Sequence, residues 1–412
     1  MEIVHERAAG MDISKRDAKV CIRVPGTRAG TFSKTVTTYG ATTNEILRLR
    51  RDLEKAGVTV VVMEATGDYW KPFYFLLAET LNVELVNAKH ARNIPGRKSD
   101  VSDAVWLADL AAHGLLRASF VPPEEIRQLR DLTRTRANLI HERTREYVRL
   151  EKGLEGSNIK LSSVASHLNT KSSRAILDAL VAGERDPHIL ASLVHASMFK
   201  KSAALIEALT GRFTDHHAYM VRLHLDRIDQ ITATLAGLDA RIDLVMEPFQ
   251  VTRELLMTIP GISTNVANVI IAEAGVDMNV FPTPGHLASW AGVCPGQNES
   301  AGKSKSSHTR PGDSYLKAAL GAAAMSASRS KTTYLAVKYR RIQSHAGAMR
   351  AVVALEHTLL VIVWNMLHDG VAYEELGIDH YDRTNPERAK QRLLRRMESL
   401  GFEPTLTPLS AA

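Results

Sequence analysis

Four acidic residues and one serine-rich loop mark where this sequence can do chemistry. Asp12 lies in the first strand-like run, and Glu64 ends the apolar run VTVVVM. Asp100 and Asp103 stand three residues apart at the start of a helix, a spacing that puts both on one helix face. Carboxylates gathered at one place repel one another unless cations neutralise them. Hard oxygen ligands in this number suit Mg2+, with Mn2+ as the substitute. Two such ions about 4 Å apart activate a nucleophile and stabilise the leaving oxygen in phosphodiester cleavage. Each acid alone has a plainer use, Asp100 or Asp103 as a helix cap and Asp12 as a turn residue. Their joint occurrence on elements that one fold brings together argues for a metal site.

Those elements fill roughly the first 115 residues. AAGMDIS and AKVCIRV read as short strands joined at Lys15-Arg16-Asp17, and the turn PGTRAG leads to TFSKTVTT, which completes an antiparallel meander. TTNEILRLRRDLEKAG has helical spacing, with Thr43 or Asn44 as the N-cap and Gly57 as the stop. VTVVVM is short, β-branched and apolar on both faces, as a buried central strand must be. A helix over 69–80, a strand at NVELVN, the basic loop AKHARNIPGRK and a helix beginning near Ser99 follow. The order βββαβαβα matches the ribonuclease-H-like fold of RuvC-type resolvases and many transposases, in which the four acids converge at one sheet edge.

From Pro122 onward the pattern is helical. Ile126, Thr133, Ile140, Tyr147 and Leu154 recur every seven residues among crowded Arg and Lys. Ile228, Ile231, Leu235, Leu238, Ile242 and Val245 form a cleaner heptad seam. Two readings fit equally: core helices of one bundle, or a coiled coil that also joins protomers into a dimer or tetramer. LMTIPGISTNVANVIIAEAG has the shape of a helix-hairpin-helix, where Gly261 permits a tight turn and backbone amides at a helix N-terminus hold phosphate. An ordinary helical hairpin gives the same pattern. The expected fold is therefore α/β followed by α: a RuvC-like domain over 1–118, a helical coiled-coil region over 119–248, a domain carrying the hairpin and the serine loop over 249–350, and a helical extension over 351–412.

Composition places the chain in a broad class. Its 412 residues are 45% hydrophobic and 24% charged, as expected of a globular protein with a sizeable core. Cys21 and Cys294 make neither a disulfide framework nor a thiolate metal site, which fits a reducing cytoplasm. No signal peptide is visible, and the run AVVALEHTLLVIVWNML carries Glu356 and His357 and is too short to span a bilayer. Net charge is +7, but from His286 to Arg350 ten Lys/Arg face two acids, a local +8. That concentration is the footprint expected of a polyphosphate partner, although a solvated basic face gives the same count.

MDISKRDAKV, MEATGDYW after a β-run, and KSDVSDAVWLADL resemble the three acidic segments of the DEDD transposases of insertion-sequence family one-ten, the bridge-RNA-guided recombinases. IPGISTNVANVIIAEAG, FPTPGHLASWAGVCPGQNESAGKS and RPGDSYLKAALGAAA are similar to that family's second domain. The resemblance covers 8–115 and 250–345, with the helical middle matching in character only. It implies that Asp12, Glu64, Asp100 and Asp103 hold Mg2+ and that Ser300, in NESAGKS, attacks DNA and is transiently linked to it. Ala301 departs from the glycines that follow the family's serine, and Ser304, Ser306, Ser307 and Ser314 lie close by. A serine hydroxyl needs a base or metal to become a good nucleophile. Gly302 would let the backbone approach DNA, and Lys303, Lys305 and Arg310 would hold phosphates around the break, with Arg97 and Lys98 adding contacts from the basic loop. The resemblance also implies a noncoding guide RNA, for which Arg127, Arg130, Arg134, Arg136, Arg143, Arg145 and Arg149 are backbone contacts; as coiled-coil flanks they need no RNA.

The resulting expectation is a cytoplasmic, nucleoid-associated DNA recombinase that mobilises its own insertion sequence. Two other readings remain beside it: a junction nuclease of the RuvC or ribonuclease-H type that uses water and the carboxylates alone, and a non-catalytic nucleic-acid-binding scaffold.

Overall fold

The computed structural model describes residues 2–28, 30–65, 67–87, 102–296, 298–300, 303–306 and 308–403, with backbone alone at 298–300 and 303–306. The chain divides into two compact units, Met1–Pro122 and Pro123–Ala412.

The first unit is a mixed sheet of five strands, β1 (Ala8–Ile13), β2 (Asp17–Pro25), β3 (Phe32–Gly40), β4 (Val60–Glu64) and β5 (Val83–Val86), in the order β3-β2-β1-β4-β5. β2 is antiparallel to β1 and β3, while β1, β4 and β5 are parallel, which is the ribonuclease-H-like arrangement. Side chains alternate between two faces. Ala9, Met11, Ile13, Val61 and Met63 face a core shared with Ile46, Leu49 and Leu53 of α1 (Thr43–Lys55) and Phe73 and Leu77 of α2 (Trp70–Leu77). Ala8, Val60 and Val62 face the other way, against Leu107, Leu110 and Ala111 of α3 (Asp103–Ala112). Thr42 is the N-cap of α1, one residue earlier than Thr43 or Asn44, because its backbone is still extended (φ −87, ψ 151). Gly57 closes that helix at φ +65.

In the second unit, α4 (Glu124–Gly156) pairs with α9 (Asp215–Val245). Between them lie α5 (Leu161–Val164), α6 (Lys171–Val181), α7 (Pro187–Ser192) and α8 (Ser202–Leu209), which close a core with the end of α4 and the start of α9. The long helices run antiparallel: Glu146 meets His224 at 2.8 Å, and Arg136 meets Asp239 at 2.5 Å. Ile228, Leu235 and Ile242 of the heptad seam are buried and Ile231, Leu238 and Val245 half-buried; of the α4 heptad, Ile126, Thr133 and Leu154 are buried. The two heptad-bearing helices thus pack on each other within one chain, and α4 packs on the later helix Thr264–Ala274 as well.

Then follow α10 (Gln250–Met257), α11 (Thr264–Ala274), α12 (Pro284–Trp290), the hairpin strands β6 (Asn298–Ser300) and β7 (Lys303–Ser306), α13 (Ser314–Ser328), α14 (Tyr334–Ala346) and α15 (Ala348–Asp369), with α16 (His380–Thr384) and α17 (Pro386–Ser399) at the end. The apolar run near the C-terminus sits in α15, which extends beyond it to 22 residues and is long and apolar enough to cross a membrane. It packs against α10, α12, α13 and α14, and buries Leu355, Leu359, Leu360 and Val363, as the core helix of this unit.

Candidate functional site

The sheet register decides what the acids can do together. β1 and β4 pair with Met11 beside Met63, so the next step along both strands sets Asp12 beside Glu64. Even-numbered residues on both strands face α3, as Ala8, Val60 and Val62 show, so Asp12 and Glu64 share that face. Gly10 explains how α3 comes so close. A Cβ there would lie 2.3 Å from the Ala104 carbonyl oxygen and 2.3 Å from the Ala108 nitrogen. Val4 donates to the Ala112 carbonyl at 2.9 Å, so β1 and α3 run antiparallel and Asp12 advances toward the helix start. Asp103 is the first residue of α3, with Ser102 as its N-cap, where the helix dipole favours a carboxylate. Glu64 is 7% exposed, while Asp12 and Asp103 are half-buried.

Asp100, Arg97 and Lys98 lie outside the described residues. Among the described residues, no three His, Cys, Asp or Glu side chains are drawn together tightly enough to enclose an ion. The donor chemistry nonetheless fits a hard divalent cation: carboxylates only, on one sheet face at one strand end. Sequence reasoning missed Lys19. It pairs with Asp12 across β1 and β2, which puts an exposed ammonium on the same face as the acids. The hairpin register would have revealed it, since Lys15-Arg16-Asp17 fixes which residues oppose each other.

Ser300 occupies a hairpin. β6 and β7 are antiparallel, Ser300 pairs with Lys303, and Lys305 follows in β7, while Gly302 lies outside the described residues. The hairpin is rooted rather than adrift. Pro295 bridges Thr309, Gly296 donates to the His308 carbonyl at 2.9 Å, and Arg310 donates to Ser289 Oγ at 3.1 Å. Gly312 lies so close to Ala291 that a Cβ would sit 2.2 Å from its carbonyl oxygen.

Two family models match this chain, on the two segments just described. One, a transposase model of the DEDD IS110 type, covers residues 9–159; the other, described as the transposase IS116/IS110/IS902 family, covers 253–340. The chain belongs to the IS110 family of transposases. It is also similar to the insertion element IS110 uncharacterized 43.6 kDa protein of Streptomyces coelicolor, 30% identical over 142 residues. That match spans 34% of this chain and 34% of the relative.

The IS110-type hairpin has a foundation that the sequence did not disclose. Asp313, just beyond its root, caps α13 by accepting from the Leu316 N–H at 2.8 Å, and its other oxygen takes Arg134 of α4 at 3.0 Å. Arg134 also grips Glu273 with two bonds of 2.7 Å, and Arg130 reaches the same carboxylate at 3.1 Å. Burial pushes the fully buried Glu273 carboxyl up, against the pull of Arg134, and the same bonds raise Arg134. The network ties α4, the end of α11 and the start of α13 into one body.

Gly261 serves packing at the turn between α10 and α11. At φ +95 it lies against α13, where a Cβ would stand 2.4 Å from the Ala323 carbonyl oxygen. Ser263 caps α11 by accepting from the Val266 N–H at 3.4 Å.

Proposed function

We propose that this chain is an Mg2+-dependent DNA recombinase that mobilises its insertion sequence through a serine-linked intermediate and selects DNA with a noncoding guide RNA. The observation that carries the reading is the pairing of Asp12 and Glu64 on one sheet face, with Asp103 at the start of the helix covering it, in a member of the IS110 family. Asp12, Glu64, Asp100 and Asp103 would hold the divalent ions, whose chemistry when bound is to neutralise charge at the scissile phosphate.

Ser300 is the nucleophile. Its hydroxyl oxygen bonds to phosphorus as the P–O bond to the departing deoxyribose breaks, and the hydroxyl proton ends on the leaving oxygen. A hydroxyl of the incoming strand then displaces Ser300 by the reverse step, so one phosphodiester replaces another without an external energy source. Lys303, Lys305 and Arg310, beside Gly302, grip the phosphates around the break, with Lys19, Arg97 and Lys98 doing so near the acids. The α10–α11 turn at Gly261 adds a sequence-independent backbone contact. Guide RNA and assembly of protomers into a dimer or tetramer rest on the likeness to the family.

The test is a covalent adduct. Purified protein, the element's junction DNA, guide RNA and Mg2+ should give protein–DNA species that survive denaturant. Ser300→Ala should abolish them, and Asp12→Asn or Glu64→Gln should remove cleavage. A Ser300→Ala protein that cleaves at the full rate would replace the serine by water and overturn the reading.

A further inference from the structure

A cavity of about 480 Å³ lies between α14 and the second half of α15, and the segment 371–376 forms its third wall. The wall is fixed in place by Glu375. That carboxylate accepts from the Tyr334 N–H at 2.7 Å, the Gly377 N–H at 2.9 Å and the Tyr373 hydroxyl at 3.0 Å. Two basic side chains face the cavity, Lys338 from α14 and the imidazole of His357 from α15. Lys338 is half-buried, takes part in none of the ion pairs found among the described residues, and has its ammonium 5.7 Å from the centroid of the Tyr334 ring. Burial pushes Lys338 down, and burial together with the Lys338 charge pushes His357 down. The acid at the rim, Glu374, is exposed, and Glu375 is committed to the wall.

A half-buried ammonium without a counter-charge is costly unless a ligand supplies one. The remaining lining says what else that ligand carries. Tyr334 and Tyr373 offer flat aromatic surface, Val361 and Met366 an apolar floor, and Asn365 a carboxamide with both donor and acceptor. The volume is that of a small-molecule site and exceeds what a bare phosphate ion needs. Proteins that hold unpaired nucleotides combine these parts: aromatic faces for the base and cations for the backbone.

We propose that this cavity binds one nucleotide unit, its phosphate beside Lys338 and His357 and its base against Tyr334 and Tyr373. The unit comes either from a free nucleotide or from an unpaired position in a nucleic-acid strand. The proposal stands apart from the serine and carboxylate chemistry, so failure of the adduct test leaves it untouched.

Full-length protein is titrated with AMP by calorimetry, and separately photocrosslinked to a single-stranded pentanucleotide carrying 5-bromouracil, with the crosslinked peptides mapped. Lys338→Met and Lys338→Gln are compared with the parent, and thermal unfolding is followed in parallel. Saturable AMP binding, weakened about tenfold in the variants, identifies a free-nucleotide site. No AMP binding, but a crosslink on the peptides of Tyr334 or Tyr373 that both variants lose, identifies a strand-borne nucleotide. The unfolding midpoint of Lys338→Met should not fall, because an unpaired ammonium is replaced by an apolar chain of similar length. Absence of both signals overturns the proposal. So does either signal persisting unchanged in a folded variant.

Discussion

Glu273 offers the sharpest measurement of how the hairpin's foundation is held. Its carboxylate is fully buried and takes Arg134 through two bonds of 2.7 Å and Arg130 at 3.1 Å. Glu273→Ala removes all three contacts and leaves two guanidinium groups, 17% and 35% exposed, without their main acid. Deleting one partner of a buried ion pair costs on the order of 3–5 kcal/mol. Two features soften the loss here. Arg130 keeps its bonds to the carbonyls of Ala272 and Glu273, at 3.0 and 2.7 Å, and Arg134 keeps Asp313 and admits water. The expected cost is therefore about 2–3 kcal/mol, which at about 2–4 °C per kcal/mol lowers Tm by about 4–12 °C. Urea and thermal unfolding followed by circular dichroism read this directly, together with Arg134→Met and the double variant Arg134→Met/Glu273→Leu. In the double variant the opposed charges leave together, so its loss should fall short of the sum of the singles by about 1 kcal/mol or more. A Glu273→Ala protein within about 0.5 kcal/mol of the parent, or a strictly additive double variant, would refute the argument.

Other consequences follow from single residues. Gly10→Ala drives a Cβ to 2.3 Å from the α3 backbone, so it should destabilise the first unit by about 1–3 kcal/mol or more and displace Asp103, seen as a lower urea midpoint. Burial raises Glu356 above the ordinary carboxylate range against a weaker pull from Lys317, so the folded state holds its proton to higher pH than the unfolded chain. Stability should then fall as pH rises from the ordinary carboxylate range through the raised value. Glu356→Gln should flatten that slope and be the more stable protein at neutral pH, with the advantage vanishing in acid; equal urea midpoints at pH 4 and 7 for parent and variant would refute it. Cys21 is fully buried and its thiol is pushed up to about 11, chiefly by burial. A thiol reagent at pH 8 should therefore modify Cys294 alone in the native protein and both cysteines after denaturation.

What the sequence disclosed, and what it withheld, follows from the range over which each feature is decided. Asp12 and Glu64 were readable because a strand's period of two and a β-branched central run fix both the strand and its face locally. Ser300 was readable as a candidate, but its hairpin was not: NES and KSKS contain no β-branched or aromatic residue, and the ladder is held by its root at Pro295 and Thr309. Glu273 gave no signal at all. Within AEAG it looks like a surface acid, and only Arg134 and Arg130, 139 and 143 positions away, make its burial tolerable. At the start of α1 three adjacent polar residues could each cap, and backbone geometry alone selects Thr42.

The same contrast changes what the basic residues mean. Counting charge along α4 suggests a long cationic face, yet its arginines are engaged within the protein. Arg130 and Arg134 hold Glu273, Arg136 holds Asp239, Arg143 reaches Thr232, and Arg145 and Arg149 meet Glu142 and Glu146. Arg127 also has a partner. In the +8 stretch, Arg310 donates to Ser289, Arg340 to the Ser330 carbonyl, and Arg341 covers the Tyr381 ring. A cation already paired with a carboxylate releases few counterions when a phosphate approaches, so it adds little to nucleic-acid affinity or its salt dependence. Cations that meet no carboxylate in the ion pairs found among the described residues remain to attract a polyanion, among them Arg310 at the hairpin root and Lys338 in its cavity. The arginines of α4 therefore serve chiefly to fasten that helix, while Arg310 and Lys338 of the +8 stretch stand where binding is proposed.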